Sequence, residues 1–278
     1  MEHALYFPKD CGKFYKDEPD KSVVLTLTEK LLPEEEKSEF AKYYHLGACP
    51  PSAETLKTLE PGVSLSQEDA FMPEEYAENM IGKSTEELKN GVCVMENGVG
   101  YVALRTFQEG VNDENMQYFS DNFVPKEEDM FYKTWCPGEH IRLYPDMAIE
   151  NMGWGFVEVR ITDFFGKNEF GLPEDLEAFD PAIIDFQAMN IEVLPLCAPE
   201  GTEPIHLVEA NVFRQLEEGR EIHHRFWIGC KIKNGKGVAY PIGDREKTDD
   251  YCRKTAYHSG SEFATLARNV VQFYKDRH

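Results

Sequence analysis

The final stretch of the chain, Thr248 to Lys275, limits the fold more than any other. Phe263, Leu266, Ala267, Val270 and Phe273 recur there at the spacing of one helix face, so the stretch is a long helix with one apolar stripe. Such a stripe has to be buried against another layer. What precedes it reads mostly as strands. In Gly91–Arg105, Asn97-Gly98 sits between two apolar runs, the strongest short signal for a hairpin. Residues 112–123 read as a helix capped by Asn112 or Asp113, and residues 130–136 as a strand. From Trp154 to Phe164, Val157, Val159 and Ile161 alternate with Glu158, Arg160 and Thr162. If the apolar set faces the core then Glu158 faces outward, although a strand lining a polar cavity reverses that. Further strands are expected at 184–197, 205–216 and 221–232, for a sheet of about six or seven. Strands closed by one helix imply an α+β fold in which a curved antiparallel sheet grips that helix and leaves a cavity for a small apolar molecule.

Residues 1–90 differ in texture. They are acidic and punctuated by Pro8, Pro19, Pro33, Pro50, Pro51, Pro61 and Pro73. Short helices are expected from Pro33 and from Pro73, since proline suits a first helical turn. The chain therefore divides into a mostly helical N-terminal extension, 1–90, and a helix-gripping domain, 91–278.

Charge and cysteine usage exclude several classes. The 51 acidic residues against 29 basic ones give a net charge of −22, which repels nucleic acid and anionic lipid. The seven cysteines are scattered and form no C-x-x-C pair, so neither a cysteine-rich zinc site nor a disulfide framework is expected. No stretch approaches the ~20 apolar residues that span a bilayer. These features lead us to expect a cytoplasmic protein without nucleic-acid or membrane partners, with a homo-oligomer left open.

Four residues suggest chemistry. His258 and Glu262 are four apart on the final helix and project from one face. H-x-x-x-E is common by chance and on its own reads as a solvated pair. The weak helix formers Ser259, Gly260 and Ser261 in the same turn fit a place that a ligand approaches. His140 follows a Pro-Gly turn, and Glu150 sits among Ile149, Met152 and Trp154, where an unpaired carboxylate is costly to bury. Two imidazoles with two carboxylates suit Zn²⁺, with Mn²⁺ or Fe²⁺ as rivals. His206, His223 and His224 lie on one hairpin, and of the adjacent pair at most one points inward.

The segments NGVCVMENGVGYVA, YKTWCPGEH, IENMGWG and EIHHRFWIG, followed by the H-x-x-x-E helix, together resemble the diacetylphloroglucinol and phloretin hydrolase family over roughly residues 90–278. The resemblance implies a helix-grip, Bet v 1-like fold and one zinc per chain, held by His140, Glu150, His258 and Glu262. It implies that Tyr132 faces the substrate. Four protein ligands exceed the usual three of a catalytic zinc site, so Glu150 is expected to double as a proton carrier. The substrate class implied is a phenolic ketone, cleaved at the carbon–carbon bond between its acyl group and a phloroglucinol-type ring. His206 and His223 are the expected partners of the ring hydroxyls. The His140–Glu150 spacing is shorter than the family's, which leaves Glu158 and Asp146 as alternative ligands. The departure at Met116–Phe123 from the family's Trp-rich helix favours a bulky acyl phenol such as phloretin. The alternative reading is a binding protein that carries an apolar phenolic ligand without chemistry.

Overall fold

The computed structural model describes residues 31–123, 128–144, 147–173, 175–178, 180–196, 198–199 and 201–278, with the backbone of two short strands before them. Those strands, β1 (Ala4–Tyr6) and β2 (Val24–Thr26), pair antiparallel with each other. Short helices follow: α1 (Ala41–Tyr44), α2 (Ala53–Thr58) and α3 (Tyr76–Met80). The helix expected from Pro33 is a 3-10 turn at Glu35–Lys37 followed by α1, whereas the one at Pro73 begins there as a 3-10 turn.

The hairpin announced by Asn97-Gly98 joins β3 (Gly91–Val94) to β4 (Gly100–Glu109). Gly98 takes φ 84°, a left-handed conformation that glycine adopts without strain. Next come α4 (Asp113–Asn122), capped by Asn112, and α5 (Glu128–Trp135). The strand expected at 130–136 is thus a helix. Phe131 and Trp135, four apart, meet along one side of it at 5.6 Å, and Met130 is buried in the cluster around Phe119 and Phe273. Packing outweighs the strand preference of these aromatic residues.

The strands β5 (His140–Tyr144), β6 (Met147–Glu150), β7 (Glu158–Phe165), β8 (Ile183–Pro195), β9 (Ile205–Leu216) and β10 (Gly219–Ile228) then run as an antiparallel meander. β10 closes back on β4, giving the eight-strand order β3-β4-β10-β9-β8-β7-β6-β5. The stretch expected to continue this strand to residue 232 turns off at Gly229 into a separate hairpin, β11 (Cys230–Lys233) and β12 (Lys236–Ala239). The chain ends in α6 (Arg245–Lys275), capped by the Asp244 carboxylate.

α6 lies across the inner face of the sheet at the β3–β4 end. Gly100 makes this approach possible: a Cβ there would stand 2.5 Å from Cys252 Sγ and 2.9 Å from Thr248 Cγ2. The apolar stripe meets α4, α5 and α1 through Ala267, Val270 and Phe273. The outer face carries Tyr101, Val208, Trp227 and Val212 and is covered by Phe71, Tyr76 and Met80 of the preceding layer. The fold is α+β and compatible with a helix grip. Among the described residues no helix is long and apolar enough to cross a membrane.

Candidate metal centre

Strand register places the polar residues. His140 on β5 pairs with Glu150 on β6, which pairs with Glu158 on β7. Side chains at paired positions share a face, and this one is the inner face. The alternation read from 154–164 is real, but its polar half points inward: Glu158 is fully buried, and Arg160 is 9% exposed beside it. The expectation that Glu158 faces outward is therefore corrected. Period two says which residues travel together, not which side is covered, and here α5 and α6 roof a polar floor.

Three side chains meet under that roof, His140, His258 and Glu262, and Glu150 approaches them from the His258 side. His140 Nε2 lies 3.4 Å from His258 Nε2 and 3.4 Å from Glu262 Oε2. His258 Nε2 lies 3.7 Å from Glu262 Oε2 and 3.9 Å from Glu150 Oε2. All four residues are at least largely buried, with Glu262 the most accessible at 12% of its side chain. The far nitrogens of both rings are engaged. His140 Nδ1 donates to the Tyr132 carbonyl at 3.0 Å, and His258 Nδ1 donates to the Glu139 carboxylate at 2.5 Å. Those bonds leave both Nε2 atoms facing the carboxylate oxygens. Two nitrogens and two oxygens turned on one another need a positive charge between them, either a proton or a metal ion.

The donor set fits a metal. A tetrahedral zinc with bonds of about 2.0–2.2 Å has neighbouring donors about 3.3–3.6 Å apart, close to the separations among His140, His258 and Glu262. An imidazole oriented by a carboxylate or a carbonyl behind it is the usual support of a metal-binding histidine. Cys136 also belongs to the neighbourhood: ligand atoms of Cys136, His140 and His258 lie within 4.8 Å of one another. Burial pushes the Cys136 thiol up to about 11, so without a cation it stays neutral.

The surroundings tune the charges. Burial opposes ionisation of Glu150, but Arg160 at 2.9 Å, the two imidazoles and the Tyr132 hydroxyl outweigh it and hold its carboxyl well below the usual range. Tyr132 donates to Glu150 and stacks on the His140 ring at 4.0 Å. Glu158 takes the opposite course: burial, with the Glu150 charge beside it, pushes its carboxyl up to about 8 despite Arg160 at 3.8 Å. For His258, burial favours the neutral ring, yet Glu262, Cys136 and Glu139 raise it well above the ordinary histidine value. Farther along the inner face Glu209, bonded by Asn211 at 2.7 Å, is pushed up to about 7 by burial. Trp135, Phe263, Phe213 and Leu266 form an apolar wall beside the cluster.

The structure thus brings His140, Glu150, His258, Glu262 and Tyr132 together. It does not bring His206 or His223. His223 points to the outer face, where its Nε2 meets Glu221 at 2.9 Å, and His206 stands on that same face against Tyr240. The inward histidine of the pair is His224, with both ring nitrogens occupied by Asn211 and Thr106. Asp146 lies outside the described residues. The small residues near His258 serve the chain itself: a Cβ on Gly260 would stand 3.0 Å from Pro51, and Ser261 donates to the Cys49 carbonyl at 2.6 Å. Glu139, Arg160, Glu209 and Cys136 were not marked by the sequence reading. For Glu139 a signal existed, since a carboxylate directly before a turn-borne histidine can reach its neighbourhood. For the others only the folded register tells.

A family model described as the DAPG hydrolase PhiG domain matches residues 74–275. A search of curated proteins returns no match.

Proposed function

The chain belongs to the DAPG hydrolase PhiG domain family, and on that premise we propose that it is a zinc-dependent hydrolase of acyl phloroglucinols that cleaves the carbon–carbon bond between acyl group and ring. The observation that carries this reading is the approach of His140, His258 and Glu262 to within 3.4–3.7 Å of one another, with Glu150 3.9 Å from His258. When bound there, a zinc ion supplies Lewis-acid polarisation of a carbonyl and acidifies water.

The chain's own residues supply the rest. Glu139 and the Tyr132 carbonyl fix the tautomers and orientation of the two imidazoles. Arg160 keeps Glu150 charged in a buried place, and Glu150 is the base positioned to take a proton from the attacking water. Transfer of a proton to the acyl-bearing ring carbon first gives the keto tautomer, a β-diketone. Water then adds to the acyl carbonyl carbon, the carbon–carbon bond to the ring breaks with its electron pair left on the ring as an enolate, which is the phenolate of the deacylated product, and the acyl group leaves as a carboxylic acid. The Tyr132 hydroxyl, in contact with Glu150, is assigned to a ring hydroxyl and to that proton's path. With His206 and His223 on the other face, the second ring contact is assigned to Glu209 and Asn211. Leaving one such buried partner unpaired costs about 1–3 kcal/mol, enough to select a hydroxylated ring. The apolar wall of Trp135, Phe213 and Phe263 suits a bulky acyl chain, which favours phloretin over the diacetyl compound.

The test is metal analysis of the purified chain, then incubation with phloretin and with diacetylphloroglucinol. One zinc per chain and release of a free carboxylic acid with the deacylated phenol are expected. Full metal content without either product would reject the activity and leave a phenol-binding protein.

A further inference from the structure

The outer face of the sheet holds a second buried polar group of opposite sign. Arg225 on β10 is 1% exposed. Its flanking partners across the strands are Ala103 on β4 and Ala210 on β9, with Ala188 of β8 beyond. Three small side chains in a row leave the guanidinium a path across the sheet. Around it stand the rings of Tyr101 and Trp227, 5.9 Å apart, and those of Phe71 and Tyr76 from the covering layer. Trp227 Nε1 donates to the Phe71 carbonyl and fixes that layer in place.

Within this cage the donors outnumber the acceptors. One Arg225 nitrogen donates to the His224 carbonyl at 2.7 Å, while Nε is buried without a partner. The hydroxyls of Tyr76 and Tyr101 are also buried with no acceptor for their protons; Arg225 is the strongest charged neighbour of both and stands close enough to donate to the Tyr101 oxygen. Burial pushes both phenols up, so each keeps its O–H to donate. Nearby carboxylates are committed elsewhere: Asp180 pairs with Arg214 at 2.7 Å, Glu54 with Arg105 at 2.8 Å, and Glu221 with His223 at 2.9 Å. Among the described residues no carboxylate stands within ion-pair distance of Arg225. A buried charge without a counter-ion is strongly disfavoured, and unpaired buried donors point to a bound acceptor.

We propose that Arg225, Tyr76 and Tyr101 bind a small monovalent anion of the halide class between the outer face of the sheet and the layer that covers it. One net positive charge calls for one negative charge. The buried apolar cluster of Phe71, Phe170, Phe186 and Trp227 around these groups favours a compact, weakly hydrated ion over a bulky oxyanion. Water alone satisfies the hydroxyls but leaves the charge uncompensated. The anion ties residues of the N-terminal layer to the sheet, and the site is independent of the hydrolase reading.

The experiment is thermal unfolding of the full chain at fixed pH and ionic strength in sodium chloride, sodium bromide or sodium gluconate. A melting temperature about 5 °C higher in the halides, saturating with concentration, is expected. Arg225→Met should abolish the difference, and crystals soaked in bromide should give an anomalous peak in contact with Arg225, Tyr76 and Tyr101. Should Arg225→Met fail to fold, Tyr76→Phe combined with Tyr101→Phe removes two donors and should shrink the halide effect by about half or more. Coincident melting in halide and gluconate, or bromide-soaked crystals without a peak at these groups, overturns the proposal.

Discussion

His223 and His224 are neighbours on β10, yet they live in different chemistries. His224 looks inward to Asn211, Thr106 and the ring of Phe263, on the face that carries Glu150, Glu158, Glu209, His140 and Arg160. His223 looks outward to Glu221, among Arg105, Arg214 and Arg225. The inner face gathers carboxylates around two imidazoles, a candidate seat for a cation. The outer face gathers guanidinium groups, and among the described residues Arg225 has no carboxylate partner. One strand, read in alternate residues, thus faces two clusters of opposite sign. The lesson is that the sign of a buried cluster names its ligand better than the residue types do, since histidine stands in both.

The sharpest test of that division is to remove the inner focus. His258→Ala with Glu262→Ala should abolish stoichiometric zinc and lower acyl-phenol hydrolysis on the order of 10³-fold or more, by metal analysis and product release. His223→Ala, one strand position from an inward residue, should leave zinc content unchanged; loss of zinc there would break the comparison. Next in size, Glu150→Gln should weaken zinc modestly and cut turnover by roughly 10²-fold, because the amide keeps the shape but not the base. Turnover close to that of the unaltered chain would move the base elsewhere, with Glu158 the first alternative.

Tyr132→Phe is expected to retain zinc and fold while lowering turnover by about 10-fold, since it removes one hydroxyl from a hydrogen-bonded position. Equal kinetics on phloretin and diacetylphloroglucinol before and after the change would remove Tyr132 from the ring contacts. The smallest effect concerns pH. The Glu158 carboxyl is pushed up to about 8 in the folded metal-free chain, against about 4.3 when unfolded. Below the lower value both states hold the proton and the contribution to stability is fully present. Between the two values the unfolded chain gives up its proton and the folded one keeps it, so stability falls as pH rises. Metal-free Glu158→Gln should therefore show a flatter loss of stability between about pH 5 and 8, measured by denaturant unfolding. A slope identical to that of the unaltered chain would mean that Glu158 is ionised inside the fold.

Much of this was legible before folding. The apolar stripe of α6, the Asn97-Gly98 hairpin, the Asn112 cap and the strands β7, β8 and β9 follow from local patterns, because periodicity and turn chemistry act over a few residues. The set of two imidazoles and two carboxylates came from the family resemblance, since H-x-x-x-E by itself reads as a solvated pair. Three features were not legible. Residues 130–136 carry aromatic and β-branched side chains that favour a strand, and only their packing against Phe119 and α6 makes them helical. Glu158 alternates correctly with Val157 and Val159, but the side on which α5 and α6 close is settled by long-range contacts. His223 and His224 cannot be told apart by sequence, since each fits either face. Alternation determines which side chains travel together; only the register of eight strands, and the layer laid on each side of them, decided which set meets the candidate metal site and which meets Arg225.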